Sequence, residues 1–249
     1  MDENREPVAP QGRSPDVQVR NATFRLGGIT LFENLSVTIA AREITYLLGL
    51  TGINKSSLLK LLAGPGPGLD TGSMDAGDGQ TLNGRIAYMD QSDLLLPRLN
   101  VLDNVTLGAR LHGETVDMDR TMMEDRPIVL MDEPFSALDA LTRQHLQDLA
   151  GILLEDRTVL VVTHDPIEAV RLGHRVHVMA GLLARIDTIK ALSGRPPRDP
   201  IEAQAPQHYR ELMGFLHQTH AVQNEVIENG AIQARPGRAF FIEEHGVPS

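Results

Sequence analysis

Hydrophobic and polar positions change period several times along this chain, and each change marks an element. Val17 to Phe24 and Leu31 to Ile39 alternate apolar with polar residues around Gly27-Gly28, a pattern that predicts an antiparallel hairpin. Glu43 to Leu48 (EITYLL) is a short apolar run leading straight into Gly49. From Lys55 the spacing becomes helical, as SSLLKLLAG, and ends on a glycine. Residues 64–84 are dominated by Gly, Pro and Asp and predict a surface loop. Arg85–Met89, Ile128–Met131 and Thr158–Val162 read as short strands, with the helical pattern ALTRQHLQDLAGILLE between the last two. Pro166–Leu172 predicts another helix, Arg175–Met179 another strand, and residues 204–217 a further helix. Beyond His220 no period emerges, and no segment repeats.

Strands that are apolar on both faces and alternate with helices predict a mostly parallel sheet covered by helices. Composition is compatible with that. A chain of 249 residues with 41% hydrophobic content can bury a full core. It has no cysteine, which excludes disulfides and thiolate metal sites. A formal charge of -10 argues against charge-driven nucleic-acid binding. No apolar run approaches the roughly 18 residues of a membrane span. Residues 1–16 lack an apolar h-region and are polar and Pro-containing, so a disordered lead-in is expected there rather than a secretory signal. Any membrane connection then goes through a partner.

The strand-to-helix junction carries the first chemistry. Residues 49–57 read GLTGINKSS against the phosphate-loop pattern G-x-x-x-x-G-K-[ST], with Gly49, Lys55 and Ser56 in place and Asn54 where the second glycine belongs. Backbone N–H groups of residues 52–57, at a helix start, would point at phosphate oxygens. Lys55 would reach the β- and γ-phosphates and the Ser56 hydroxyl would ligate Mg²⁺. Asn is among the least costly replacements for a glycine at positive φ. A plain lysine-bearing turn is the alternative. The stretch IVLMDEPFSALDALT tips the balance, because a strand ending in Asp132-Glu133 sets two carboxylates at the carboxyl edge of the sheet. Asp132 would hold Mg²⁺ through water, and Glu133 would act as the base on an attacking water.

With these motifs together, the chain resembles the ATP-binding subunit of an ABC transporter, from about Val17 to Leu216. GLTGINKSS resembles the family's Walker A, IVLMDE its Walker B, SALD ending in Asp139 its D-loop, and VVTHD its switch-histidine segment at His164. YMDQSDLLLPRLNVLDNV places Gln91 at the Q-loop. The resemblance implies a P-loop NTPase core of mostly parallel sheet and flanking helices, an antiparallel β subdomain and a helical subdomain. It implies ATP and Mg²⁺ as cofactors. Gly49, Leu50, Thr51, Gly52, Ile53, Asn54, Lys55, Ser56, Ser57 and Asp139 would hold the nucleotide. Ser56, Gln91 and Asp132 would serve the metal, and Glu133, His164 and Gln91 the chemistry. Implied partners are a permease, a solute-binding protein through the complex, and a second ATP-binding subunit in a homodimer or heterodimer, with no nucleic acid. The implied location is the cytoplasmic face of the cell membrane.

Within the family, DLLLPRLNVLDNVTLGARLHGE and THDPIEAVRLGHRVHVMAG most resemble subunits serving nitrate, sulfonate, taurine and thiamine-pyrimidine-precursor importers. There are departures. The adenine-stacking aromatic place falls on Leu26, with Phe24 two residues before it, and Arg42 stands where a glycine usually precedes the first core strand. No LSGG signature occurs, and 40 residues separate Gln91 from Asp132, too few for a whole helical subdomain. The expected layout is therefore a nucleotide-binding domain over 17–217, its helical lobe truncated at about 100–126, and a tail over 218–249. A degenerate, non-hydrolysing nucleotide-binding or interaction subunit is the alternative function. The pairs His174/His177 and His217/His220 lack a third ligand and predict no metal site.

Overall fold

The computed structural model describes residues 14–49, 52–64, 68–90, 126–180 and 185–199, with 209, 210, 212–214 and 216 beyond them. Of the segment around 100–126, where the truncated helical lobe is expected, all but residue 126 lies outside the described residues, as does 218–249. Strands β1 (Val17–Leu26) and β2 (Ile29–Ile39) form the predicted hairpin, and Gly27 and Gly28 supply the two positive-φ residues of its turn at 58° and 82°. Strand β3 (Ile44–Gly49) follows and then helix α1 (Lys55–Ala63), closed by Gly64 in the left-handed conformation.

The next segment corrects an expectation. Residues 71–76, inside the stretch expected to be only loop, form strand β4 (Thr71–Ala76), which pairs antiparallel with β1 from Val17↔Ala76 to Thr23↔Thr71. Its sequence TGSMDA carries almost no strand propensity. The open edge of β1 supplies the pairing instead, and Ala76 is buried while Met74 packs on the core. The three-stranded sheet has the order β2-β1-β4.

The remaining elements are β5 (Ile86–Met89), β6 (Ile128–Asp132), α2 (Ala140–Leu153), β7 (Thr158–Thr163), α3 (Pro166–Leu172), β8 (Arg175–Ala180) and β9 (Arg185–Ala191). The last was not expected, and it closes the sheet edge antiparallel to β8. The large sheet runs β5-β6-β7-β3-β8-β9 and is otherwise parallel. Its two faces support separate cores, as strands buried on both sides require. Leu47, Leu130, Leu160, Val162 and Met179 face α1 and the three-stranded sheet. Tyr46, Leu48, Val129, Val161 and Val178 face the other way, toward Leu146 of α2, Val170 of α3 and Leu212. Among the described residues, no helix is long and apolar enough to cross a membrane.

A buried arginine staples the far end of this second layer. Arg198 Nε donates to Ser193 O at 2.7 Å, Nη1 to Val170 O and Gly173 O at 3.0 and 2.6 Å, and Nη2 to Leu192 O and Gly194 O at 3.4 and 2.7 Å. All five guanidinium donors are used, and the bonds to Val170 and Gly173 satisfy carbonyls at the C-terminal end of α3. Arg198→Ala is expected to cost about 3 kcal/mol in urea denaturation, because buried carbonyls lose their donors. Arg198→Lys should recover little, since a point charge cannot reproduce the planar fork. Equal midpoints for wild type and Arg198→Ala would refute this.

Candidate nucleotide site

Parallel register brings the chemistry to one edge. Leu48 pairs with Thr163 and Asp132 with Val162, so Gly49, Asp132 and His164 stand at the carboxyl ends of three adjacent strands, β3, β6 and β7. This is where ligands bind in open α/β sheets.

The loop between β3 and α1 keeps the conformation that its sequence puts in question. Asn54, at the second-glycine position, has φ 66° and ψ 24°, and Gly52 has φ 86°. The left-handed backbone is thus retained at the asparagine, where a short polar side chain costs less than most. The Asn54 side chain makes no cap to α1, so it does not take the helix's first amides for itself. Gly49 is required by space, because a Cβ there would lie 2.8 Å from Met179 O and 3.3 Å from Lys55 Cδ.

Lys55 is 7% exposed and its Nζ donates to Gly49 O at 2.7 Å. Burial pulls its ammonium pKa below the usual lysine range, while the Glu133 and Asp132 carboxylates pull it back up. Asp132 is 2% exposed; burial raises its pKa, opposed by a hydrogen bond from the Ser56 hydroxyl. Its Oδ1 is buried with no hydrogen-bond partner among the described residues. An orphaned carboxylate oxygen beside a serine hydroxyl is an all-oxygen donor set, which suits Mg²⁺. No cluster of three or more His, Cys, Asp or Glu able to hold a metal occurs among the described residues.

Above this pair, Glu133 Oε1 and Oε2 lie 2.8 and 2.7 Å from His164 Nδ1. Glu133 has φ 50°, a left-handed conformation that is uncommon for a glutamate and that concentrates at functional sites. The pair is asymmetric in exposure. The glutamate side chain is 12% accessible and the histidine 59%, so the histidine faces outward over the glutamate. Sequence reasoning placed both residues here, but not their contact.

Other expected residues fall variously. Gly52, Ile53 and Ser57 lie on the loop and α1; Leu50, Thr51 and Gln91 lie outside the described residues. Asp139 caps α2, its Oδ1 accepting from the Leu141 and Thr142 amides at 3.1 Å each. Phe24 is not placed to stack on a base: it is 4% exposed and packs on Phe32 at a centroid distance of 5.6 Å. Leu26, 44% exposed at the hairpin tip, keeps the solvent-facing place. Arg42 adopts φ 59°, the conformation a glycine would take there, and its side chain pairs with Asp156. His174 is structural, its Nδ1 accepting from the Ile44 amide at 3.0 Å.

A strand-loop-helix phosphate cradle facing two carboxylates at the end of β6, with β7 between the two strands, defines a P-loop nucleotide-binding ATPase fold. The solved ATP-binding cassette MJ0796, a dimer in a post-hydrolysis state bound to ADP and Pi, has the same fold. It matches with a TM-score of 0.54 and 22% identity, over 72% of this chain and 99% of its own. The ABC transporter family profile matches residues 32–121. An uncharacterized ABC transporter ATP-binding protein of Haemophilus influenzae is 36% identical, over 80% of this chain and 98% of its own length. The aliphatic sulfonates import ATP-binding protein SsuB of Granulibacter bethesdensis is 34% identical, over 82% and 95%. The taurine import ATP-binding protein TauB of Burkholderia thailandensis is 32% identical, over 65% and 77%. The chain belongs to the ATP-binding proteins of ABC transporters.

Proposed function

We propose that this chain is the ATP-binding subunit of an importer, coupling MgATP binding and hydrolysis to solute uptake through a permease. The observation that carries the reading is the Glu133–His164 pair, held at 2.7 Å beside the Lys55–Ser56–Asp132 cluster. Lys55 and the loop amides would hold the phosphates, and Ser56 and Asp132 would hold Mg²⁺, which would draw charge from the phosphate oxygens. Glu133 orients and deprotonates the attacking water, and His164 contacts the γ-phosphate. Gln91, at the place of the family's Q-loop, would sense the metal and the water. Relatives named for sulfonate and taurine import support an importer role. The cargo lies beyond this subunit's reach, because it meets a permease and never the solute.

The nucleotide-binding domain takes in 17–217, works as a homodimer or heterodimer on the cytoplasmic face of the membrane, and has a shortened helical lobe. The lengths of the alignments support that shortening. The Haemophilus match runs over 241 positions but takes in only 80% of this 249-residue chain, so some tens of its positions have no counterpart here.

In this family the permease's coupling helix sits between the core and the helical lobe, beside the Q-loop. With one wall shortened, co-expression with the neighbouring permease should give weaker co-purification than a full-length homologue gives. Recovery at full-length strength would overturn the prediction, and no recovery with any permease would overturn the importer reading.

A further inference from the structure

Behind the Glu133–His164 pair lies a second carboxyl that no proposed step uses. Glu168, on α3, is 4% exposed. Its Oε2 accepts a long hydrogen bond from the Thr163 hydroxyl at 3.5 Å, and the buried Tyr46 phenol of β3 hydrogen-bonds to its carboxyl. The same Thr163 oxygen accepts from the Asp165 amide at 3.1 Å. Asp165 Oδ1 in turn caps α3, accepting from the amides of Ile167 and of Glu168 itself at 2.9 and 3.4 Å. Thr163 and Asp165 are therefore anchored on either side of His164, the one residue of the three that turns outward.

Neighbouring charges fit an anchor rather than an ion. Asp165 and Glu133 face Glu168 with like charge, and Arg143 of α2 acts on it in the opposite direction, lowering its pKa. Burial, with those two carboxylates, pushes Glu168 up to about 8, so near neutral pH it holds its proton. Arg143 is committed elsewhere too: its Nη2 donates to Leu138 O at 3.1 Å and its Nη1 lies 3.7 Å from Asp165 Oδ2. It thereby joins the segment before Asp139 to the segment around His164.

We propose that Glu168 is a positioning residue: through Thr163 and Asp165 it holds His164 with Nδ1 against Glu133. The assignment rests on His164 being a working residue, as proposed above. It adds that the histidine's orientation is set from within the core, by a group that touches no nucleotide.

The test reads the imidazole directly and needs neither nucleotide nor turnover. With Nδ1 facing a carboxylate, His164 carries its proton on Nδ1, whereas free histidine favours Nε2–H. Long-range ¹H–¹⁵N spectra of the full chain above the histidine titration range distinguish the two tautomers. Wild type should show His164 mainly as Nδ1–H, and Glu133→Ala, the direct control, mainly as Nε2–H. Glu168→Leu and Thr163→Val should both shift His164 to mainly Nε2–H, while Glu168→Gln, which keeps the polar contacts, should retain Nδ1–H. Thr163→Val preserves side-chain shape and carries the test if Glu168→Leu does not fold. Retention of Nδ1–H in Thr163→Val, loss of it in Glu168→Gln, or its absence in wild type would each overturn the proposal. A chain that neither hydrolyses ATP nor binds a permease would leave these spectra unchanged, so the two readings fail separately.

Discussion

A homodimer of this chain should hydrolyse ATP at barely above the background rate. In this family two subunits sandwich each nucleotide head to tail, and the signature serine and glycines of one cap the γ-phosphate held by the other. Those donors act where charge develops in the transition state, and removing even one such donor typically costs about 100-fold or more. The residues proposed for the Walker side stand together here. Lys55, Ser56 and Asp132 cluster at the ends of β3 and β6, and Glu133 meets His164 at 2.7 Å. The sequence contains no LSGG to complete the opposite side. Mixing with a sibling subunit that has an intact signature should restore one working site, made from this chain's Walker face and the sibling's cap. Phosphate release by the purified chain, alone and mixed, reads both outcomes. Robust turnover by the homodimer, lost in Glu133→Gln, would mean that another segment supplies the cap.

Nucleotide binding should persist in the micromolar-to-millimolar range and vanish in Lys55→Ala. Lys55 is buried, its Nζ donates to the loop carbonyl of Gly49 at 2.7 Å, and the nearby Asp132 and Glu133 favour its charged form. A charge-assisted contact to phosphate is among the strongest polar contacts available. The base contributes less. Phe24 is packed against Phe32, so a bound adenine would meet Leu26 and forgo stacking worth on the order of 1–3 kcal/mol, taking nucleic-acid bases as a guide. Calorimetric titration of MgATP into both proteins decides it, with thermal melting as a control for folding. Matching titration curves would refute the assignment of Lys55.

The legible parts of this protein were those with short-range signatures. The run EITYLLG, the change of period at Lys55 and the DE pair after IVLM each reflect a local rule, and β3, α1 and β6 lie where those rules put them. Strand β4 was hidden because TGSMDA becomes a strand only through the edge that β1 offers it. The Glu168–Thr163–Asp165 anchor was hidden differently. Its residues lie within six positions, but nothing in THDPIE reveals that the glutamate turns inward toward Tyr46, more than a hundred residues earlier. Arg198 likewise reads as one more surface arginine until α3 and the turn that follows β9 deliver their carbonyls to it. A sequence shows which chemistry a residue can perform; burial, which decides whether it does, depends on partners far along the chain.

The order of the large sheet has a consequence for the nascent protein. Strand β3, which bears the phosphate loop, pairs only with β7 and β8, and these begin at Thr158 and Arg175. During synthesis the apolar β3 must therefore leave the ribosome and wait for more than a hundred further residues before either neighbour exists. The three-stranded sheet can close early, since β1, β2 and β4 are complete by Ala76. Such non-local pairing is slow and leaves strand edges open to misassembly. Translation pauses or chaperone shortage should therefore injure the nucleotide site well before they injure the amino-terminal hairpin.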